Sequence, residues 1–177
     1  SLAINDTYDP LANTNDGSCE YPDNGDYSLS FDGVDDYVDL GTGFNLQDYT
    51  IEVRLNSGNS SDGSIIAKSQ GASASPSSWR LYQINGIIKS GVDGNTPTVE
   101  GSYIADNNWH TVTAQNTGVE SMYLHVDGSN LGSANGYYNN TTTQVYIGAQ
   151  WDGQTGLPYF FNEMIIDEIR ISDTSRY

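Results

Sequence analysis

Tyr49-Thr-Ile-Glu-Val-Arg-Leu-Asn56 decides the fold class. Tyr49, Ile51, Val53 and Leu55 alternate strictly with Thr50, Glu52, Arg54 and Asn56. In an extended strand successive side chains point to opposite faces, so this octet has one apolar and one polar face. Upstream, Tyr27, Leu29 and Phe31 alternate in the same way with Ser28, Ser30 and Asp32. Downstream, Asn85-Gly86 and Asp127-Gly128 stand between apolar runs and predict type I′ hairpin turns, whose two central residues both need positive φ. The second turn joins Met122–Asp127 to Leu131, and Val145–Gly148 and Ile165–Ile171 supply the last strands. Apolar residues nowhere recur at helical spacing, and no strand–helix–strand alternation is visible. The expectation is an all-β, antiparallel sandwich or barrel.

Charge narrows the partners. Twenty-three Asp and Glu against six Lys and Arg give a formal charge of −17, which repels phosphate backbones and anionic bilayers. Nucleic acid is therefore not an expected partner, and no apolar stretch is long enough to insert in a membrane. The carboxylates occur with Gly and Asn in turn-like clusters. That pattern serves solubility, and it also supplies the clustered oxygens that calcium needs.

Residues 1–24 differ from the rest of the chain. They are rich in Asp and Asn, carry two of the five prolines, and show no alternation, as expected of an Asx-rich loop module or acidic linker. The run from Ala3-Ile-Asn5 to Asp16-Gly17-Ser18-Cys19-Glu20-Tyr21 resembles a short Cys-bounded repeat of secreted bacterial proteins, common in marine Bacteroidetes. The resemblance implies that Cys19 pairs with a cysteine upstream of Ser1, in a longer, multidomain, extracellular or cell-surface chain.

From residue 25 to 177 a second resemblance runs in order. Tyr27-Ser-Leu-Ser-Phe31-Asp32-Gly33-Val34-Asp35-Asp36-Tyr37-Val38-Asp39-Leu40, Tyr49-Thr-Ile-Glu-Val53, Asn108-Trp109-His110-Thr111-Val112, Tyr123-Leu-His-Val-Asp127-Gly128 and Ile166-Asp167-Glu168-Ile169-Arg170-Ile171 resemble successive strands of a laminin-G-like domain of the concanavalin A-type jelly-roll superfamily. This implies a two-sheet antiparallel jelly-roll sandwich, usually with structural calcium. Two departures stand out. Arg54 occupies a place where the family usually has Trp, and Glu163-Met164-Ile165 replaces a usual Gly, which implies a bulge or shifted register in the closing strand.

Fold does not settle function, so the side chains must. Laminarinase-type members of the superfamily carry Glu-x-Asp-x-x-Glu on one strand; here Glu163-Met-Ile-Ile-Asp167-Glu168 has the wrong spacing. No Ser-His-Asp, phosphate-loop or zinc pattern is present, and a non-catalytic domain is expected. For calcium, the resemblance points to the edge of the sandwich, with Asp32, carbonyls near Gly33, and Asp167 as ligands. Asp167 shares the parity of Ile165, Ile169 and Ile171. If that parity faces the core, the carboxylate needs a partner or a metal. The alternative is an Asx-turn at Asp32 and backbone bonding at Asp167. In either case Asp35 and Asp36, which flank the turn, are expected to be solvated. For sugar, Tyr137, Tyr138 and Asn139 in one loop and Trp151, Asp152 and Gln154 in another combine aromatic faces with polar side chains; packing of these rings over the sheet edge is the competing reading. Trp109 is expected in the core, and Trp79 is left open. The expected partner is a polysaccharide or cell-surface glycan.

Overall fold

The computed structural model describes residues 27–44, 46–68, 79–92, 95–118, 121–135, 143–152 and 154–176. The 1–24 segment with Cys19, and the predicted sugar contacts Tyr137, Tyr138 and Asn139, lie outside the described residues.

Two six-stranded sheets form the body. The first runs in the order β1 (Leu29–Asp32), β14 (Glu163–Ser172), β3 (Asp48–Asn56), β8 (Trp109–Thr117), β9 (Met122–Val126) and β10 (Ser129–Ala134). The second runs β2 (Val38–Asp39), β11 (Val145–Ile147), β4 (Gly63–Lys68), β5 (Trp79–Ile84), β6 (Ile87–Val92) and β7 (Asn95–Tyr103). A small hairpin pairs β12 (Gln150–Asp152) with β13 (Leu157–Tyr159). Every ladder is antiparallel, and no helix occurs among the described residues. This is the expected all-β jelly-roll sandwich.

The alternation read at 49–56 holds. Tyr49, Ile51, Val53 and Leu55 are buried and join Val112, Ala114, Leu124, Leu81 and Ile88 in one core. Burying each Leu or Ile side chain is worth roughly 1.5–3 kcal/mol. Both predicted hairpin turns form. Asn85 and Gly86 have φ of 51° and 75°, and Asp127 and Gly128 have 50° and 77°.

The closing strand departs from the simple parity reading. Met164 and Ile166 are buried, whereas Ile165 is 38% exposed. The register of β14 on β3 then shifts between Ile166 and Glu168. One extra residue in a strand exchanges its faces, so Ile169 and Ile171 pack on the core despite sharing odd numbers with Ile165. Asp167 sits at this bulge and is exposed. The condition that would have placed it in the core is not met: its parity with Ile169 and Ile171 does not survive the inserted residue. The bulge expected from the missing glycine is real, and lies two residues beyond Ile165.

Candidate functional site

Among the described residues, three surfaces hold side chains that can do chemistry. The first is the turn after β1. Asp32 Oδ1 accepts from the backbone N–H of Val34 at 2.8 Å and of Asp35 at 3.4 Å, the Asx-turn foreseen as one alternative. The Asp32 N–H donates to Asp36 Oδ2 at 3.1 Å. Gly33 has φ +77°, and a Cβ there would meet the Glu163 backbone N at 3.0 Å. Asp32, Asp35 and Asp36 each place one carboxylate oxygen within 4.8 Å of the others, and all three are exposed. The turn's own hydrogen bonds thus hold three carboxylates together against their mutual repulsion. An all-oxygen anionic donor set of this kind fits a hard divalent cation.

Asp167 is not brought to this turn. In the β1–β14 ladder Asp32 lies opposite Glu163 and Leu29 opposite Ile166, so Asp167 falls beyond the other end of β1. Its carboxylate bonds Arg54 instead, with Nε–Oδ2 at 3.1 Å. The geometry thus separates the two predicted ligands and gathers Asp35 and Asp36, read from sequence as solvated, beside Asp32.

The second surface is the β12–β13 hairpin. Trp151 pairs with Pro158 and stacks on Tyr146 with ring centroids 6.0 Å apart and planes 24° apart. Tyr146 is buried beneath it. Asp152 Oδ1 accepts from the Gln154 N–H at 2.8 Å, and Oδ2 accepts from the Thr155 hydroxyl at 2.9 Å. Those bonds, the Gln154 N–H first, hold the Asp152 carboxyl below the usual range. The structure therefore brings Trp151, Asp152 and Gln154 together, but on a short strand and turn where a free loop was expected. One face of Trp151 is spent on Tyr146 and both Asp152 oxygens on the turn.

The third surface was missed by the sequence reading. On β3 the polar residues Glu52 and Arg54 face outward, flanked in register by Thr113 and Thr111 of β8 and by Arg170 and Glu168 of β14. Trp109 opens β8 opposite Asn56 and is 42% exposed. The expectation that it belongs to the core is corrected. Trp109 lies on the outward face with Thr111, at the end of a strand whose Val112 is buried in the core. Trp79 is the buried tryptophan, 5.5 Å from the Tyr49 ring.

The Arg54 guanidinium carbon lies 5.5 Å from the Trp109 ring centroid. Asp167 and Trp109 both hold this group. Tyr27, Ser28, Arg54, Trp109 and Asp167 line a hollow of about 280 Å³. A second hollow of about 250 Å³, lined by Glu52, Arg54, Thr111, Glu168 and Arg170, shares Arg54 with the first.

Beneath Trp109 the chain is braced by His110. Nδ1 lies 2.8 Å from Asp127 Oδ2, and Nε2 lies 3.1 Å from Asp106 Oδ1. Burial alone would lower the imidazole pKa. The hydrogen bonds and charges of Asp127 and Asp106 outweigh it and raise the value. Asp106 is pulled down to about 2, first by the side-chain and backbone bonds of Asn108 and then by His110. Asp127 Oδ1 also accepts from the Thr111 N–H at 2.9 Å, and Asn56 Nδ2 donates to the Asn107 carbonyl at 2.9 Å. The turn that presents Trp109 is thus fixed from several sides.

Residues 32–176 match the laminin-G-type family model of the concanavalin A-like lectin/glucanase superfamily. The chain belongs to this superfamily. Comparison with curated proteins finds no match. Among solved structures, the chain resembles the heptameric SAP-like pentraxin of Limulus polyphemus at 16% identity and a TM-score of 0.65, covering 89% of this chain and 80% of that one. Domains LG4–5 of the mouse laminin α1 chain are 17% identical with a TM-score of 0.63, over 94% of this chain and 48% of that one. This superfamily member thus spans about half of the laminin fragment. The CBM40 of the Ruminococcus gnavus IT-sialidase, bound to α2,3-sialyllactose, is 11% identical with a TM-score of 0.66, over 85% of this chain and 94% of that one. At these identities the likeness is one of fold.

Proposed function

We propose that this domain is a non-catalytic glycan-recognition module of a secreted or cell-surface, multidomain protein, stabilised by calcium and binding sugar on the outer face of the first sheet. The observation that carries the reading is Trp109, 42% exposed, beside Arg54 and Asp167 in a hollow. An exposed indole offers an apolar platform for a pyranose face, and an arginine and a carboxylate beside it supply the donors and acceptors that sugar hydroxyls need. The fold supports the reading, since a sialyllactose-binding domain shares it. The absence of catalysis is supported by the disposition of the carboxylates. Glu163 bonds Asn59 at 2.6 Å and Asp167 bonds Arg54, so each carboxylate has a partner within the fold.

Asp32, Asp35, Asp36 and carbonyls near Gly33 are the groups that would hold calcium. The ion would neutralise three carboxylates that the turn has already crowded together, fixing the β1 edge. The Trp151–Asp152–Gln154 hairpin is left to packing.

A glycan array run with calcium and with EDTA tests the reading. Retention of a neutral polysaccharide by the wild-type chain, lost in Trp109→Ala, is expected. An array with no retained glycan would rule the recognition function out.

A further inference from the structure

The two hollows on the outer face both have Arg54 in their walls. At about 280 and 250 Å³, each falls below the roughly 300–1,000 Å³ usual for a small-molecule site. We propose that they are two subsites of one groove, which takes a neutral, linear glycan of at least two hexose units with Arg54 at the junction. This rests on the glycan-recognition reading above and adds the ligand's class and minimum length.

The chemistry of the two halves differs. The first presents Tyr27, 57% exposed, and Trp109, so it receives the apolar face of a ring. The second presents only polar groups around Val53, namely Glu52, Thr111, Glu168 and Arg170, so it receives hydroxyls at ring edges. The halves follow one another along β3, from the Trp109–Asn56 pair to the Thr113–Glu52 pair. Arg54 stands between them, its Nε anchored by Asp167 and its flank on Trp109. A guanidinium held at two points directs its remaining N–H groups without further ordering cost. Those groups reach oxygens of both sugar units.

Charge selects a neutral ligand. Arg54 and Arg170 face Glu52, Asp167 and Glu168, which leaves the groove one negative charge in excess, on a chain of formal charge −17. A polyanion meets like charge at close range. Hydroxyls both donate and accept, so one sugar unit satisfies the arginines and the carboxylates at once.

The test is calorimetric titration of the full chain with a length series, one to four units, cut from a neutral hexose polymer that the array retains, with heparin as the polyanionic control. Affinity should rise at least tenfold from one unit to two and heparin should bind more weakly. Glu168→Gln and Arg170→Gln, each checked for an unchanged melting curve, should lower disaccharide affinity and narrow its ratio to the monosaccharide. Equal affinity for one unit and two, or tighter binding of heparin, would overturn the two-subsite groove while leaving glycan recognition standing. An array that retains nothing would instead remove the recognition reading itself.

Discussion

Replacing Asp167 by Asn and, separately, Asp32 by Asn distinguishes an ion pair from a metal ligand. Asp167 meets Arg54 at 3.1 Å with the two side chains 40% and 51% exposed. Pairs this open are worth about 0.2–1 kcal/mol and weaken with salt. At roughly 2–4 °C per kcal/mol for a domain of this size, Asp167→Asn should lower Tm by no more than about 4 °C. The effect should shrink in high salt, and the response to EDTA should stay intact. Asp32→Asn is a clean probe of charge, because asparagine keeps the Oδ1 acceptor that closes the turn on Val34. A metal held only by the folded state adds about 2.7 kcal/mol at a hundredfold excess over its dissociation constant. Wild-type Tm should therefore fall on chelation, and Asp32→Asn should show most of that fall already and little further response. Melting curves of the three proteins in calcium and in EDTA, at two salt concentrations, read all of this. Should Asp167→Asn abolish the EDTA response, the bulge and the ion pair are misassigned. A wild-type curve indifferent to EDTA would refute the calcium proposal.

Further outcomes rest on the packing. The raised His110 pKa means its charge-pair stabilisation is complete below the unfolded value of 6.5 and is lost as pH rises through the raised folded value; urea unfolding across that window should show the loss, and His110→Phe should flatten it. Asp106, held at about 2, acts in the opposite sense: its contribution is present above 3.8 and lost as pH falls through about 2. Gly148→Ala should destabilise by at least about 1–3 kcal/mol in denaturant melts, because φ is +84° and the new Cβ would lie 2.5 Å from the Phe31 ring. Trp151→Ala should cost more stability than Trp109→Ala, since Trp151 covers buried Tyr146 and an aromatic pair adds about 0.5–1.5 kcal/mol beyond its area.

The parts legible in the sequence were those governed by local rules. The octet at 49–56 declares its buried face because one side of the strand meets the core, and Asn85-Gly86 and Asp127-Gly128 declare their turns because few residues accept positive φ twice. Asp167 was misread for a physical reason. Ile165, Ile169 and Ile171 look like one face, and only the pairing of β14 with β3 shows that an inserted residue divides them. The outward placement of Trp109 was available from the alternation of Val112 and Ala114 with Thr111 and Thr113, but an indole at the head of a strand reads as core. Arg54 registered as a departure from the family pattern, yet its tie to Asp167 joins residues far apart in the chain, and no local pattern carries it. Trp151 and Asp152 lie on one hairpin; what the sequence lacked was Tyr146 beneath the ring.

The central claim is that sugar sits on Trp109 and not on the hairpin, and the three tryptophans allow one direct measurement. Their indole N–H resonances, assigned by single substitutions, can be followed while the chain is titrated with a neutral oligosaccharide retained on the array. The Trp109 resonance should shift and saturate, while those of Trp151 and buried Trp79 stay in place. Movement of the Trp151 resonance with Trp109 unmoved would contradict the groove and return the site to the β12–β13 hairpin.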